Sequence, residues 1–229
     1  MIQLYFHHTP NPAKVVLMLE ELGLPYQLLP IDLFAGQQHL PAYRAINPNG
    51  KVPAIIDGDR VVFDSNAILL YLGEKSERFL GGARERPALL SWLLFAASGL
   101  GPSCGQAVHF TRIHQESAYA TRRYLREVER HFSVLDVRLS QSPYLAGERY
   151  SIADMAAFSW IDWADRNQLV LGEGPAWARW PHLRRWFLAV AERPAVQRAR
   201  LAGKELTLKT AFDDETLHAL FPQNYPVSP

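Results

Sequence analysis

Two short segments decide the fold: Lys51-Val52-Pro53-Ala54-Ile55, and Asp64-Ser65-Asn66-Ala67-Ile68, which begins nine residues after Ile55. The first segment predicts a short β-strand entered through a proline, and the second predicts a polar N-cap that opens a helix. Between them, Asp57-Gly58-Asp59-Arg60 predicts a tight turn between two β-strands. The sequence therefore predicts a strand, a turn, a second strand and a helix in this region.

Both segments offer backbone groups to a ligand. We expect the Val52–Pro53 peptide bond to be cis, because this Val-Pro stands at a strand entrance where the backbone of Val52 has to face outward, and proline makes the cis form accessible. The N–H and C=O groups of Val52 would then face solvent, where they can bind an extended peptide. The helix that opens at Ser65 presents unpaired N–H groups and the positive end of its dipole, which suit a carboxylate. Together the two segments predict a site for a small acidic peptide.

The residues before Val52 complete a small α/β unit. Asn11 is expected to cap a helix with Pro12 at its first position, and Gly23 is expected to end it. The other predicted elements are a strand over 2–6, a strand over 25–31, a short helix over 42–45 and a hairpin partner strand over 61–63. This β-α-β-α-β-β-α order is thioredoxin-like.

After Leu72 the character of the chain changes. Residues 73–86 predict a linker, and only helices follow Pro87, over 89–100, 119–139, 181–191 and 194–202. Ser151 and Asp154 form a capping box that opens one more helix. We therefore predict an α/β plus all-α protein: a thioredoxin-like domain over 1–78, a C-terminal helical bundle over 87–208, and an apolar tail over 209–229 that packs on the body.

Composition limits the possible functions. The chain has 229 residues, 48% of them hydrophobic and 21% charged, which is typical of a soluble globular protein. A net charge of +1 argues against an extended nucleic-acid surface. We also expect no signal peptide and no membrane span. The single cysteine, Cys104, excludes an intrachain disulfide and a dithiol site, fits the cytoplasm, and is expected to be a small buried hydrophobe.

The order of these motifs resembles the glutathione transferase family. The opening Met1-Ile2-Gln3-Leu4-Tyr5-Phe6 and the segment Thr9-Pro10-Asn11-Pro12-Ala13-Lys14 are similar to the bacterial Nu class and its fungal Ure2-like relatives, and the resemblance extends to about Leu206. It implies glutathione as co-substrate, with the Val52-Pro53 segment on its cysteinyl backbone and Asp64 and Ser65 on its γ-glutamyl end. It also implies a homodimer.

Glutathione must become a thiolate before it attacks. Lowering a thiol pKa by two units takes roughly 2.7 kcal/mol of preference for the anion. A helix dipole supplies about 0.3–1 kcal/mol, whereas a hydrogen bond to a charged group supplies roughly 1.5–3 kcal/mol. Explicit donors are therefore needed, and Thr9 and Asn11 are the candidates. The resembled subgroup uses this Thr and Asn pair; the alternative is that Asn11 only caps the helix.

Two further residues are candidates through the resemblance alone. Gln38 matches a glutathione-binding position, with Gln37 as its competitor because the match falls in a loop. Arg123 matches an arginine that the subgroup directs toward glutathione, although a solvated or ion-paired role is the alternative. The chain departs from the subgroup at Pro12, where glycine is usual and a backbone N–H is lost, and at Asp64, where glutamate is more common.

The sequence thus predicts a glutathione-dependent enzyme that reduces disulfide bonds, conjugates small electrophiles, or does both. The alternative is a non-catalytic binding or regulatory module on the same fold. No metal site is predicted, because His7 and His8 lack carboxylate or cysteine partners and His109 and His114 are not spaced to face one ion.

Overall fold

The structure is a computed structural model that describes residues 1–170 and 176–225. Its N-terminal half contains one four-stranded sheet in the order β2-β1-β3-β4. The strands are β1 (Ile2–Phe6), β2 (Tyr26–Pro30), β3 (Ala54–Asp57) and β4 (Arg60–Phe63). β1 runs parallel to β2 and antiparallel to β3, which forms a hairpin with β4. Three helices accompany the sheet: α1 (Pro10–Leu22), α2 (Pro41–Arg44) and α3 (Ser65–Ser76).

The second half is helical, and no strand occurs beyond Phe63 in the part of the chain that the structure describes. Its helices are α4 (Arg86–Phe95), α5 (Gly101–Val108), α6 (Ala118–Gln141), α7 (Ile152–Arg166), α8 (Pro181–Ala191), α9 (Pro194–Ala199) and α10 (Asp214–Leu220). π-helical turns at 96–100 and 109–113 follow α4 and α5. The predicted fold class, α/β plus all-α, is confirmed.

The capping box predicted from sequence is present at the start of α7. Asp154 is fully buried, and its carboxylate accepts hydrogen bonds from the Ser151 backbone and hydroxyl groups, from the Leu145 N–H and from Trp186 Nε1. Four donors satisfy a carboxylate that would otherwise be costly to bury. α7 is therefore held in place at the centre of the helical half.

Helix α1 joins the two halves, because it packs on α3 within its own half and on α7 and α9 across the interface. Its residues Val15, Val16, Met18 and Leu19 are fully buried. At the outer edge of this interface, the Arg193 guanidinium forms a forked ion pair with Glu21 at 2.5 and 2.9 Å. Helix α1 is consequently held against both halves of the molecule.

One continuous helical stretch, residues 86–113, is long and apolar enough to span a membrane by length and composition alone. We predicted no membrane span from the sequence, so this stretch was not anticipated. Its buried side chains Leu89, Leu93 and Ala96 belong to the core of the chain, and the stretch packs on α6 and α7. Leu94, on the opposite face, is 59% exposed.

The chain after α9 returns to the N-terminal half. The Lys209 N–H donates to Asp32 at 2.7 Å, and the ring of Phe212 contacts that of Phe34 edge to face. The carbonyl of Ala219, on α10, accepts from His39 Nε2 at 2.8 Å. The domain limits 1–78, 87–208 and 209–229 stay predictions, and residues 171–175 and 226–229 within them lie outside the described residues.

Candidate functional site

The first turn of α1 leaves a single backbone donor free. Thr9 is the N-cap residue and Pro10 is the first helical residue, so the prediction that Asn11 caps this helix is wrong. The physical reason is that proline suits the first helical position, where no N–H is needed. Pro10 and Pro12 have no N–H, and the Ala13 N–H donates to the Thr9 carbonyl at 3.2 Å. The N–H of Asn11 therefore remains, together with its side chain, which does no capping.

The first turn of α3 also leaves one backbone N–H free. Asp64 is the N-cap, and its Oδ1 accepts from the N–H groups of Asn66 at 2.9 Å and Ala67 at 3.1 Å. The expectation of several unpaired N–H groups is thus corrected, because the cap uses two of them and the Ile68 N–H donates to the Asp64 carbonyl. The N–H of Ser65 is left. Asp64 adopts φ 67°, a strained conformation for a residue with a side chain.

The two helix starts meet through their side chains. Ser65 Oγ donates to Asn11 Oδ1 at 3.3 Å, across 54 positions of sequence. Since Asn11 Oδ1 accepts this hydrogen bond, the Nδ2 group remains as a donor. One turn further along α1, Lys14 Nζ donates to Asn66 Oδ1 at 3.4 Å.

These groups line a polar cleft of about 250 Å³, which we call the small cleft. Its walls are Asn11, Lys14, Asp64, Ser65, Asn66, Ala96, Ala97, Gly101, Pro102, Gly105, Gln106 and Trp160. They come from α1, α3, α7 and the stretch 96–106. The small cleft therefore lies between the two halves of the molecule, at the starts of α1 and α3.

The Val52–Pro53 segment is anchored through hydrogen bonds to Lys51, the residue that precedes it. The Lys51 carbonyl accepts from Tyr43 Oη and from Asn47 Nδ2, both at 2.6 Å. The predicted cis bond between Val52 and Pro53 is confirmed. Val52 precedes the first paired residue of β3, and no backbone hydrogen bond joins it to another residue of the described ranges.

Gln38 is buried, whereas Gln37 is exposed and accepts from the Asp32 N–H at 2.8 Å. Gln38 Nε2 donates to the carbonyls of Leu33 at 3.2 Å and Ala219 at 3.0 Å. Its Oε1 is buried and has no hydrogen-bond partner among the described residues. In this arrangement Gln38 offers a ligand no free donor, because Nε2 is bound to the Leu33 and Ala219 carbonyls, and its Oε1 is buried.

Arg123 lies apart from this group. Its side chain is exposed on α6 and lines neither of the two clefts described for this chain. The structure thus brings Asn11, Asp64 and Ser65 together around the small cleft, with Thr9 at its neighbouring helix cap. It does not bring Arg123 into that group.

A larger cleft of about 640 Å³ lies on the adjacent face of α1. Thr9, Pro10, Ala13 and Leu17 form its α1 wall. The other lining residues are Phe6, His8, Phe158, Ser159, Asp162, Trp163, Asp165, Arg166, Asn167, Phe187, Val196, Ala199, Arg200, Ala202 and Lys204. Because Thr9 also caps the helix that carries Asn11, this large cleft adjoins the candidate thiolate position.

The large cleft combines aromatic walls with a charged cluster. Phe158 stacks on Phe187 with ring centroids 5.2 Å apart. Asp162 accepts from Arg166 at 2.8 Å through one oxygen and from Arg200 at 2.7 Å through the other. Arg166, Arg200 and Lys204 line the large cleft with the carboxylates of Asp162 and Asp165, which leaves one positive charge in excess beside an apolar wall.

Other reactive side chains are occupied or inaccessible. Cys104 is fully buried, and desolvation raises the pKa of its thiol to about 12, so the predicted role as a buried small residue is confirmed. His7 is buried, with Nδ1 at 3.0 Å from the Ile31 carbonyl, and burial lowers the pKa of its imidazole. The described residues contain no group of three or more His, Cys, Asp or Glu side chains that could hold a metal ion.

Sequence reasoning missed Lys14, Gln106 and Trp160 in the small cleft and Arg200 in the large one. Lys14 could have been found, because it follows Asn11 by three residues and therefore shares its helix face. The others depend on how the helical half packs against α1, which no local pattern encodes.

Comparisons with known proteins agree with this architecture. Residues 9–75 match the model of the glutathione S-transferase N-terminal domain, and residues 102–194 match that of the C-terminal domain. Disulfide-bond oxidoreductase YfcG of Escherichia coli is 42% identical over 213 residues, which cover 89% of this chain and 96% of that protein.

Two solved structures are similar throughout. A glutathione transferase from Burkholderia graminis, with two glutathione molecules bound per subunit, has a TM-score of 0.81 and 35% identity, covering 89% of each chain. One from Phanerochaete chrysosporium, in complex with oxidized glutathione, has a TM-score of 0.82 and 36% identity, covering 87% of this chain and 94% of the other. The chain therefore belongs to the glutathione S-transferase family.

Proposed function

We propose that this protein is a glutathione-dependent enzyme that holds the glutathione thiolate at the start of α1 and uses it to reduce disulfide bonds, with conjugation of small electrophiles as a second activity. Disulfide reduction is placed first because the relative from Escherichia coli is named for that activity and the Phanerochaete chrysosporium structure holds oxidized glutathione. Both reactions begin with the same thiolate.

One observation carries the proposal: the 3.3 Å hydrogen bond from Ser65 Oγ to Asn11 Oδ1. It joins the segment proposed for the γ-glutamyl end to the segment proposed for the thiolate. Asp64 would hold the γ-glutamyl ammonium with its carboxylate, and the Ser65 N–H would donate to the γ-glutamyl carboxylate. The backbone of Val52, before Pro53, would pair with the cysteinyl backbone.

Three donors would then face the sulfur: the Thr9 hydroxyl, the Asn11 N–H and Asn11 Nδ2. Hydrogen bonds to an anion are worth roughly 1.5–3 kcal/mol each, so two of them suffice for a two-unit decrease in the thiol pKa. The α1 dipole adds about 0.3–1 kcal/mol. The loss of the Pro12 N–H relative to the subgroup is therefore tolerable, since the donor set remains sufficient without it.

Disulfide reduction needs two glutathione molecules, because Cys104 is inaccessible. The thiolate attacks one sulfur of the substrate disulfide, forming a mixed disulfide and releasing the other sulfur as a thiolate. A second glutathione thiolate then attacks the glutathione sulfur of the mixed disulfide, giving glutathione disulfide and the second reduced thiol. The chemistry uses no metal ion.

We place the second substrate in the large cleft. Its Thr9 wall adjoins the proposed thiolate position, and its aromatic side chains suit an apolar or aromatic body. Arg166 and Arg200, which both pair with the Asp162 carboxylate, suit an acidic group on that substrate. Gln38 would donate to the glycyl carboxylate of glutathione through Nε2, which requires the tail to release this group from the Ala219 carbonyl. Arg123 would reach the ligand only after a change in α6 or in its own rotamer.

We further propose a cytoplasmic homodimer. Val61 and Phe63 on β4 are 49% and 43% exposed, and Leu94 on α4 is 59% exposed, so both halves carry large apolar side chains that a second copy would cover. Sedimentation should give about twice the 26.0 kDa chain mass at micromolar protein. A mass near that of one chain would contradict the dimer.

Turnover assays test the function directly. We expect glutathione-dependent reduction of hydroxyethyl disulfide, and slower conjugation of a nitrobenzene halide. Calorimetric binding of glutathione without either activity would instead support the non-catalytic binding module. Absence of glutathione binding would contradict the proposal as a whole.

A further inference from the structure

Lys14 is an unusual residue for the interior of a helix interface. Its side chain is fully buried, although lysine is among the residues least often buried without an ionic partner. Its recorded hydrogen bond is to Asn66 Oδ1 at 3.4 Å, a long contact to a neutral group. No carboxylate lies within ion-pair distance of Nζ in the described residues. The ammonium group is therefore only weakly compensated in the free protein.

The surroundings of Lys14 are polar and mostly uncharged. Asp64 is the charged group that acts on it, from the start of α3, and its Oδ1 already caps that helix. Desolvation lowers the pKa of Lys14 to about 7, against the attraction of Asp64. The neutral polar side chains that share the small cleft with it are Asn11, Ser65, Asn66 and Gln106.

We propose that Lys14 is a positioning residue whose buried ammonium group acts as the counter-charge for bound glutathione. Through its hydrogen bond to Asn66 Oδ1, it also keeps the Asn66 side chain in position. This inference rests on the proposed function, because it requires glutathione at the starts of α1 and α3. Lys14 does not touch the sulfur; it acts through Asn66 and through its charge.

The charges of glutathione suit a buried cation at this position. The tripeptide carries two carboxylates, one ammonium and, when activated, one thiolate, so the bound form brings a net negative charge next to Lys14. With its pKa lowered to about 7 by burial, Lys14 would be partly unprotonated near neutral pH in the free protein. Binding stabilises the ammonium form, and Lys14 takes up a proton from solvent. The protonated lysine in turn favours the thiolate over the thiol.

Proton uptake separates this role from a packing role. We would measure binding of S-methylglutathione by calorimetry near pH 7.5 in buffers of different ionisation enthalpy. This ligand has no thiol proton to release, so any uptake comes from the protein or the ligand amine. Ligand binding to the wild-type protein should be accompanied by uptake of a fraction of a proton per site. In Lys14→Met, proton uptake should be lower by the amount that Lys14 contributes. Lys75→Met, which removes a partly exposed lysine paired with Asp57, is the matched control and should behave as wild type.

Glutathione itself gives the second readout. The ultraviolet absorbance of the bound thiolate should titrate about one pH unit higher in Lys14→Met, the shift expected for loss of a charge roughly 12 Å away at an effective dielectric constant of about 20. Lys14→Arg should restore most of the thiolate signal. Equal proton uptake and equal thiol titration in wild type and Lys14→Met would overturn the inference. Failure of the wild-type protein to bind either ligand would instead contradict the proposed function.

Discussion

Adjacent faces of α1 border two different clefts. Asn11 and Lys14 face the small cleft, whose polar groups come from the start of α3, whereas Pro10, Ala13 and Leu17 face the large cleft, whose aromatic and charged groups come from the helical half. The two faces lie about 100° apart on the same helix. The start of one helix therefore separates a small polar site from a larger site that is both aromatic and charged.

This difference indicates that the two clefts have different roles in binding. The polar side of the small cleft is built from the starts of α1 and α3 and from side-chain hydrogen bonds of 3.3 and 3.4 Å within the N-terminal half, so its ligand is specified by backbone and side-chain donors. The large cleft is walled mainly by α7 and by residues 196–204, which can vary without disturbing those caps. We infer that the small cleft defines the shared co-substrate and that the large cleft defines the second substrate.

The largest effect is expected at Asn11. Asn11→Ala removes the side-chain donor and the contact with Ser65, so kcat/KM should fall roughly 10- to 150-fold, the cost of one hydrogen bond to a charged group. Glutathione affinity should change little, because Asp64, Ser65 and Val52 hold the rest of the tripeptide. Kinetics with hydroxyethyl disulfide provide the measurement.

Thermal melts distinguish this role from a local structural one. Asn11 is the second helical residue and makes no cap, so Asn11→Ala should melt close to wild type. A variant that melts early and keeps full turnover would contradict the catalytic role, and Thr9 would then be the better candidate.

An intermediate effect is expected at Asp64. Asp64→Asn keeps the Oδ1 acceptor that caps α3 but removes the charge proposed to hold the γ-glutamyl ammonium. The KM for glutathione should rise about fivefold, less than for a buried ion pair, because Asp64 is exposed and such charges are worth at most about 1 kcal/mol. Asp64→Ala is the comparison variant: it should also lose about 1 kcal/mol of stability through the lost cap. An unchanged KM in Asp64→Asn would remove this carboxylate from the site.

The smallest effect is expected in the large cleft. Arg200→Met should reduce the preference for an acidic over a neutral aromatic disulfide by about two- to fivefold, since the guanidinium is 41% exposed and such charges are worth at most about 1 kcal/mol. Arg198→Met, which breaks the ion pair with Glu20 outside both clefts, is the matched control. Equal preferences in the two variants would show that the large cleft does not select acidic substrates.

The sequence was most informative where local chemistry determines structure. The Val52–Pro53 bond, the Ser151–Asp154 capping box and α8 (Pro181–Ala191) follow from residues next to one another in the chain. The start of α1 was misplaced because Thr9-Pro10-Asn11-Pro12 allows two caps, and only the whole turn decides between them.

Contacts between distant segments were beyond such reasoning. Neither the burial of Lys14 nor the 3.0 Å contact of Gln38 with Ala219 is encoded locally, since the first depends on how the helical half packs on α1 and the second on how the tail packs on residues 32–39. The predicted role of Arg123 depended on the same long-range packing and remains a prediction.

The central claim is that the start of α1 stabilises a thiolate. The most direct measurement is a spectroscopic titration of the thiol of glutathione bound to the wild-type protein, followed through the ultraviolet absorbance of the thiolate. Our account predicts a bound-thiol pKa about two units below that of free glutathione, equivalent to roughly 2.7 kcal/mol. A bound thiol that titrates at its free pKa would contradict the account.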